Sequence, residues 1–493
     1  MKKIFKYTSL LLVILLIASC QEFLDVNDDP NNPVTVTPDL VLPTAQVYTA
    51  NILHGNTQRG INQLGNMMMY NWSQSDGFAW YPDEFKYNVT SSFYQQIFNY
   101  TYSNTLKQYQ ILDQLESPYD YYRAIAKIMK AYHFQLLVDM YGDVPYSEAL
   151  LRSQEATPKY DDAKTIYEDL ITELDTAIVL IKNAEIPVQP SDDDAIFGGD
   201  MDNWIKFANT VKLRILVRQS SMSGREGYIK AEFDKINAEG SGYITSDVGV
   251  NPGYVQQENK QSPFWNYQGT DVGGTVTMNN NATCATDYIL TFLTGLSDPR
   301  IDFLYEKPET GHLGVPQGLL DYDTPVVDAY MPEKVSNIGP GILKAATMDA
   351  MVYTLAESYF NQAEARFKGL ITNGDDAKTL YEKGIQASFS VLGAGDATSY
   401  YSQVKDLVGW NSSANKLQAI ITQKWLAVNG MTAEQSWFDY SRTGYPSGLP
   451  ISMQASTSDR PVRIFYPAGE YSSNGANIPA QPNAFTDKIF WGK

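Results

Sequence analysis

Aromatic residues crowd one stretch of this chain. Residues 70–102 contain twelve of them, whereas the 13% aromatic content of the whole chain predicts about four in 33 residues. A flat aromatic side chain can stack on the apolar C–H face of a sugar ring, and a nearby Asp, Asn or Gln can then bind the hydroxyls. The chemistry that these residue types indicate is noncovalent binding of a polar ring.

The aromatic residues of this stretch fall into two groups. Phe93, Tyr94, Phe98 and Tyr102 recur at helical spacing and predict a buried helix face. The others surround the turn residues Asp76-Gly77 and Pro82, and Trp265 with Tyr267 offers a second platform. We therefore predict a ligand site where residues 70–81 meet residues 262–281. Stacking faces would come from Trp72, Trp80, Tyr81, Trp265 and Tyr267, and hydroxyl ligands from Asp76, Asn266 and Asn279. For each ring, plain packing in the core is the alternative.

Catalytic motifs give no comparable signal. The three histidines, at 54, 133 and 312, lack metal-ligand spacing, and we find no G-x-S-x-G elbow, P-loop or G-x-G-x-x-G motif. Cys284 has no sequence-local histidine, which favours a buried or incidental thiol. We expect no metal, no cofactor and no enzyme activity, although carboxylates are numerous enough to leave a glycosidase pair as an alternative.

The N-terminus predicts a secretory signal. Three lysines precede an apolar run at residues 10–17, which is too short to span a bilayer. The run ends in Leu-Ile-Ala-Ser-Cys, a pattern that looks like a bacterial lipobox. It predicts cleavage after residue 19 and acylation of Cys20, and acyl chains anchor a protein without a spanning helix. An ordinary signal peptide is the alternative.

The net charge of the chain limits the classes of partner that it can bind. The chain has 37 Lys+Arg and 56 Asp+Glu, a net charge of −19, and loss of residues 1–19 with their three lysines would make it −22. An acidic surface argues against nucleic acid as a partner, because nucleic acid requires a basic footprint. With Cys20 acylated, only Cys284 would remain, so no internal disulfide is available and stability must come from a core.

Periodicity predicts a mainly α fold. Residues 20–45 are predicted to form the lipidated N-terminus and an extended, acidic tether, and helical patterns follow, most clearly at 119–140, 162–182, 202–220 and 348–369. The octapeptides DDAKTIYE at 161–168 and DDAKTLYE at 375–382 each follow an amphipathic helix. Repeated helical hairpins of this kind suggest tetratricopeptide-like stacking, with chance similarity as the alternative. Residues 246–340 predict a loop-rich excursion.

Several segments resemble the SusD/RagB-type lipoproteins of the bacterial outer membrane. The resemblance spans nearly the whole chain and is specific through the order of its motifs. The motifs are Cys20 followed by FLDVNDDPNNP, YGDVPY at 141–146, DAIFGGDMDNWIKFANTVKLRILVR at 194–218, AEARFKG at 363–369, QKWLAVNGMTAEQSWFDYSRTGYP at 423–446 and PVRIFYPAGEYSSN at 461–474.

The resemblance implies a role as well as a fold. It implies one tetratricopeptide-containing helical domain at 46–493, with the loop-rich insertion at 246–340, held at the outer-membrane surface by lipid. Members cap a SusC-like TonB-dependent β-barrel transporter and capture nutrient for import, usually glycan and sometimes peptide. They are binding proteins rather than enzymes. The motifs carry over no ligand-contact residues, so the eight predicted site residues depend on aromatic chemistry alone.

Overall fold

The computed structural model describes residues 37–151, 154–321 and 326–492. The predicted signal peptide, Cys20 and most of the predicted tether lie outside the described residues.

Helix α1 corrects the predicted tether. The helix runs from Pro38 to His54, so residues 38–45 are helical rather than extended. Proline suits a first helical turn because the N–H that it lacks would be unpaired there. Val41, Leu42 and Ala45 are buried, so the first turns already contribute to the core.

The remaining elements follow in chain order. The helices of the first half are α2 (Ile61–Met68), α3 (Pro82–Lys86), α4 (Gln95–Tyr100), a π-helical turn (Thr101–Leu106), α5 (Lys107–Asp113), α6 (Asp120–Tyr141), α7 (Ala163–Asn183), α8 (Met201–Arg218) and α9 (Glu226–Glu239). Those of the second half are α10 (Pro263–Gln268), α11 (Met278–Ala282), α12 (Asp287–Leu296), α13 (Ile301–Leu304), a 3₁₀ turn (Asp328–Tyr330), α14 (Leu355–Phe367), α15 (Ala377–Leu392), α16 (Thr398–Tyr401), α17 (Lys416–Val428), α18 (Glu434–Thr443) and α19 (Ala468–Ser473). The strands are β1 (Trp72–Gln74), β2 (Val144–Pro145), β3 (Tyr160–Asp161), β4 (Val248–Val250), β5 (Thr283–Ala285) and β6 (Ala350–Tyr353).

The repeated octapeptide opens the second helix of each of two hairpins, α6–α7 and α14–α15. In both copies the second Asp is the N-cap. Asp162 accepts a hydrogen bond from the backbone N–H of Thr165 at 2.8 Å, and Asp376 accepts one from Thr379 at 2.7 Å. Such caps satisfy backbone donors that the helix leaves free. The prediction of a mainly α fold with tetratricopeptide-like hairpins is confirmed.

The second hairpin begins later than the periodicity predicted. Residues 350–353, which we expected to be helical, form β6 and pair antiparallel with β4. Val352 and Tyr353 favour a strand, and Thr354 then caps α14 by accepting a hydrogen bond from the N–H of Glu357 at 3.1 Å.

Charged side chains bridge the helices inside the core. Arg214 on α8 donates to both carboxylate oxygens of Glu357 on α14, at 2.8 and 2.9 Å. Arg442 on α18 does the same with Glu364 on α14, at 2.6 and 2.8 Å. All four side chains are at most 1% exposed. Bidentate pairing of this kind offsets the cost of removing the charges from water.

Asp439 on α18 extends these pairs into a network. It accepts hydrogen bonds from Arg218 at 2.9 Å and Arg442 at 3.0 Å, and Nζ of Lys424 lies 2.8 Å from it. These neighbouring cations lower the pKa of Asp439 against the opposing effect of its burial. The network therefore joins α8, α17 and α18, and through Glu364 also α14.

The segment 246–340 contains short elements joined by long loops. Its strand β5 pairs antiparallel with β1, with Trp72 opposite Ala285 and Gln74 opposite Thr283. This pairing joins residues more than 200 positions apart in the sequence, and it places the aromatic turn against the loop-rich segment. None of the described helices is both long and apolar enough to cross a bilayer.

Candidate ligand-binding site

The two segments of the predicted site meet in the structure, at a contact that we call the junction (residues 70–81 against residues 262–281). The indole N–H of Trp80 donates to Oδ1 of Asn279 at 2.7 Å. The hydroxyl of Ser75 donates to the carbonyl of Asn281 at 2.5 Å. Just beyond the junction, the hydroxyls of Tyr81 and Thr283 lie 2.6 Å apart.

Three of the predicted stacking residues are buried instead of presenting a face. Trp72 is 1% exposed and its ring stacks on that of Phe264, with centroids 6.5 Å apart and an interplanar angle of 8°. Tyr81 and Tyr267 are also buried. The prediction that Trp72, Tyr81 and Tyr267 offer exposed faces is therefore wrong in this structure. Trp72 therefore packs in the core against Phe264 of α10.

The carboxylate of Asp76 is likewise engaged in hydrogen bonds within the protein. It is buried, its Oδ1 accepts the N–H of Gly77 at 2.7 Å, and its Oδ2 accepts the N–H of Val327. A carboxylate that holds two backbone donors fixes a turn. The prediction that Asp76 reads ligand hydroxyls is therefore wrong in this arrangement.

The remaining predicted residues, Trp80, Trp265, Asn266 and Asn279, are half-buried and keep part of their surface at the junction. Trp80 lies edge-to-face with Phe78, with centroids 5.7 Å apart. The amide of Asn279 donates to the carbonyl of Tyr267 at 3.1 Å, so this one side chain connects Trp80 to α10.

Arg59, which the sequence did not indicate, holds the backbone of Trp80 in place. Its guanidinium donates to the backbone carbonyl of Trp80 and to Oε1 of Glu84, the latter at 2.8 Å. It also lies over the ring of Tyr81, 5.2 Å from the centroid. Burial raises the pKa of Glu84, and the charge of Arg59 opposes that shift. Arg59 therefore fixes the backbone from which Trp80 projects.

A cavity of about 190 Å³ borders the junction, and we call it the amide cavity. Five of its lining residues carry side-chain amides, and no carboxylate lines it. Asn56, one of the five, accepts a hydrogen bond from Nδ2 of Asn266 at 2.7 Å. The hydroxyl of Thr105 is buried without a hydrogen-bond partner among the described residues. The five amide residues are Asn51, Asn56, Gln58, Gln96 and Asn104.

The amide cavity was invisible to sequence reasoning for a physical reason. Its lining comes from α1, the loop at 55–60 and the segment formed by α4 with its π-helical turn. No spacing rule relates these three segments. The only local signal is the polar run Asn56-Thr57-Gln58-Arg59.

A second cavity, of about 370 Å³, lies beside Trp265, and we call it the Trp265 cavity. A Cβ added to Gly269 would lie 2.6 Å from the indole ring, so the backbone of Gly269 packs closely on this ring. The polar residues that line this cavity are Thr270, Asn280, Asn281, Glu306, Lys307, Glu333 and Asn337. Both cavities are connected to α10, since Trp265 lines one and Asn266 donates a hydrogen bond to Asn56 in the lining of the other.

The three histidines and Cys284 line neither junction cavity. Burial lowers the pKa of His54 to about 4 and that of His133 to about 3, so both are neutral at pH 7. Cys284 is fully buried, and burial raises the pKa of its thiol. Within the described residues, no cluster of three His, Cys, Asp or Glu side chains could hold a metal ion.

Comparisons with known proteins agree on a single family. Residues 30–467 match a family model, SusD-like, that is described as starch-binding and associating with the outer membrane. A search of curated proteins found no match.

Solved structures share the fold along nearly the full chain. One described as a chitin-binding protein is 24% identical, with a TM-score of 0.73, and the match covers 93% of this chain and 100% of that one. A chitin-binding SusD homologue from Flavobacterium johnsoniae is 22% identical, with a TM-score of 0.76 and coverage of 91% and 98%. A SusD homologue from Bacteroides vulgatus is 22% identical, with a TM-score of 0.74 and coverage of 92% and 97%. At these identities the likeness establishes the fold.

Proposed function

The chain belongs to the SusD-like family, and from that membership we propose that it binds an oligosaccharide at the cell surface and delivers it to a TonB-dependent outer-membrane transporter. The role proposed is capture rather than catalysis. A peptide or another nutrient is the alternative ligand for the same type of complex.

The observation that carries the proposal is the chemistry of the junction. Trp80 and Trp265 are half-buried, so each ring is held by the protein while part of it stays accessible. Sugar rings have apolar C–H faces that stack on such rings. The junction therefore offers two candidate stacking rings, of which Trp265 lines a cavity.

The amide cavity supplies the complementary polar groups. An amide both donates and accepts hydrogen bonds, and so does a sugar hydroxyl, so each amide can bind hydroxyls in either direction. The lining includes no carboxylate, and its one charged side chain, Arg59, is already paired with Glu84, so the neutral hydroxyl groups of a sugar fit the cavity. Two of the matching structures are described as chitin-binding, which supports a glycan as the ligand here.

Binding measurements on tryptophan variants test the ligand site. Trp80→Ala and Trp265→Ala should each weaken oligosaccharide binding several-fold or more, because one stacked ring contributes about 0.5–1.5 kcal/mol beyond its buried area. Phe367→Ala is the matched control, since Phe367 is an exposed aromatic outside both cavities. Calorimetric titration against a panel of oligosaccharides and peptides provides the readout. Unchanged affinity in both tryptophan variants, or binding of peptides alone, would refute the glycan site.

The anchor is proposed to be Cys20, which lies outside the described residues. Acyl chains contribute about 0.8 kcal/mol for each buried CH₂ group, so two or three of them hold a domain at a bilayer. Cys20→Ala should move the protein from the membrane fraction to the soluble fraction. Continued outer-membrane fractionation of that variant would refute the anchor.

The partner is proposed to be a SusC-like β-barrel transporter. A lid on such a barrel should bury at least the roughly 1,200–2,000 Å² that is standard for a stable complex. The measurement is mass spectrometry of proteins that co-purify with the chain after mild detergent extraction of native membranes. Recovery of the free monomer alone would contradict this partnership.

A further inference from the structure

The Trp265 cavity differs from the amide cavity in charge, and this difference bears on which glycan the protein binds, so the inference rests on the function proposed above. Two carboxylates, Glu306 and Glu333, line the Trp265 cavity, whereas none lines the amide cavity. Lys307 is the single cation of the lining, and its Nζ lies 3.6 Å from Asp302. The positive charge of Lys307 is therefore offset by a carboxylate outside the cavity lining.

The carboxylate of Glu306 has no cationic partner among the described residues. Its backbone N–H donates to the carbonyl of Asn337 at 2.9 Å, but its side chain takes part in no hydrogen bond or ion pair with them. Burial raises the pKa of Glu306. Glu306 nevertheless keeps an exposed surface, as Glu333 does, and an ammonium group placed beside these carboxylates in the cavity would gain charge-assisted hydrogen bonds.

Asn337 adds an independent acceptor to the same cavity. It is 7% exposed, and its Nδ2 donates to the carbonyl of Pro332 at 3.2 Å. That bond fixes the amide orientation and leaves Oδ1 as an acceptor, which has no hydrogen-bond partner among the described residues. A buried polar atom that is left unpaired in this way calls for a donor.

Trp265 completes a set of groups that favour a cation. An aromatic ring attracts an ammonium group through its negative face. Two carboxylates and one carbonyl oxygen accept hydrogen bonds and donate none, which matches the three N–H donors of an ammonium group.

We propose that the Trp265 cavity is a subsite for the protonated amine of an amino sugar, so that the protein binds oligosaccharides with free amino groups more tightly than neutral ones. The sugar ring stacks at Trp265, its ammonium group faces Glu306 and Glu333, and its hydroxyl-bearing neighbours extend toward the amide cavity. A lysine side chain would supply the same ammonium group. The adjacent amide cavity favours the sugar, because a lysine peptide has no hydroxyl-rich ring to place there.

A titration of matched oligomers tests the subsite. Glucosamine, N-acetylglucosamine and glucose oligomers of equal length are titrated into the intact soluble domain near pH 6, at low and at high salt, with trilysine as a peptide arm. The glucosamine oligomer should bind about tenfold more tightly than the glucose oligomer, as expected for a hydrogen-bonded cation on an aromatic face. The preference should shrink at high salt, because salt screens exposed charges.

A charge variant separates this subsite from the rest of the binding site. Glu306→Gln should remove most of the preference and leave glucose-oligomer affinity within about twofold, because only the ammonium interaction is lost. Glu309→Gln is the matched control, since Glu309 is an exposed acid that does not line the cavity. It should leave the preference unchanged.

The outcomes distinguish this inference from the proposed function. Equal binding of the three sugars, or equal weakening of all of them by Glu306→Gln, would overturn the amine subsite and leave glycan capture standing. Tighter binding of trilysine than of the glucosamine oligomer would overturn the subsite in favour of a peptide. If no glycan bound at all, both the subsite and glycan capture would fall.

Discussion

The helical core and the junction differ in the kind of polar side chain that they contain. In the core, charges on four helices are paired, and Asp439 alone interacts with three cations. At the junction, the polar side chains are mostly neutral amides and hydroxyls. In the segment at residues 261–268, which begins one residue before the junction, four side chains have a buried polar atom without a hydrogen-bond partner among the described residues. They are Gln261, Ser262, Trp265 and Gln268.

This difference indicates that the core network mainly stabilises the fold, whereas the junction is available for ligand binding. A buried charge must be paired, because an unpaired one costs several kcal/mol, so the network fixes how α8, α14, α17 and α18 pack. An unpaired neutral group costs less, about 1–3 kcal/mol, and a ligand that supplies the missing partner recovers that cost. The core is therefore the rigid frame, and the junction is where additional binding free energy is available.

Breaking the network should give the largest effect on stability. Arg442→Ala would remove the bidentate partner of the buried Glu364 and one of the three cations around Asp439, and it should lower the free energy of unfolding by about 3–5 kcal/mol. Denaturant unfolding of the soluble domain measures this. Lys383→Ala is the control: Lys383 pairs with Asp375 at the surface, and such exposed pairs contribute about 0–1 kcal/mol. Similar losses in the two variants would show that the network does not dominate stability.

The pH dependence of stability should reveal one carboxyl that the core keeps protonated. Burial raises the pKa of Glu434 to about 7 from its ordinary value of 4.5. The folded state thus holds this proton more tightly than the unfolded state. The resulting stability is complete below about pH 4.5 and is lost as the pH rises through about 7. Glu364, whose pKa is lowered to about 2 mainly by Arg442 against the opposing effect of burial, acts in the opposite direction and loses its contribution only as the pH falls toward 2.

Glu434→Gln isolates this contribution. Between about pH 5 and pH 8, the unfolding free energy of the parent should fall by roughly 2–3 kcal/mol more than that of the variant, because a shift of one pKa unit is about 1.4 kcal/mol. Chemical denaturation at a series of pH values measures both slopes, and Glu309→Gln should keep the slope of the parent. Identical slopes in the parent and in Glu434→Gln would mean that Glu434 does not take up the proton.

The sequence predicted the helices of the core better than it predicted the residues of the ligand-binding site. Helices such as α6 and α7 follow from local periodicity, and the cap at Asp162 follows from a local motif. The burial of Trp72 follows instead from its packing on Phe264, a contact between distant residues that no local pattern encodes. The carboxylate of Asp76 likewise accepts a hydrogen bond from the backbone N–H of Val327, another contact between residues that are distant in the sequence.

Residue type located the junction but not the role of each ring. An excess of aromatic residues predicts that some of their rings stack. The stacking of Trp72 on Phe264 shows that such rings can stack on each other inside the protein instead of on a ligand. Arg59 and Gln96, which lie near the junction, carry no aromatic signal and were missed. Sequence reasoning could therefore identify the two segments, whereas only the fold separates Trp80 and Trp265 from the buried rings.

The smallest effect should come from Asn279, which links the two sides of the junction. Its Oδ1 accepts the indole N–H of Trp80 and its Nδ2 donates to the carbonyl of Tyr267. Asn279→Ala should lower the unfolding free energy by only about 0.5–1.5 kcal/mol, because both bonds lie in a half-buried region where water can replace the lost partner. Oligosaccharide affinity should nevertheless fall several-fold, since the indole of Trp80 would lose the bond that orients it. Asn251→Ala is the matched control, because Asn251 is also half-buried, its amide donates to the carbonyl of Thr347 at 3.1 Å, and it lines neither cavity. Calorimetric titration together with denaturant unfolding of both variants decides the matter: a loss of stability in Asn279→Ala with unchanged affinity would place Trp80 with the packing residues of the core.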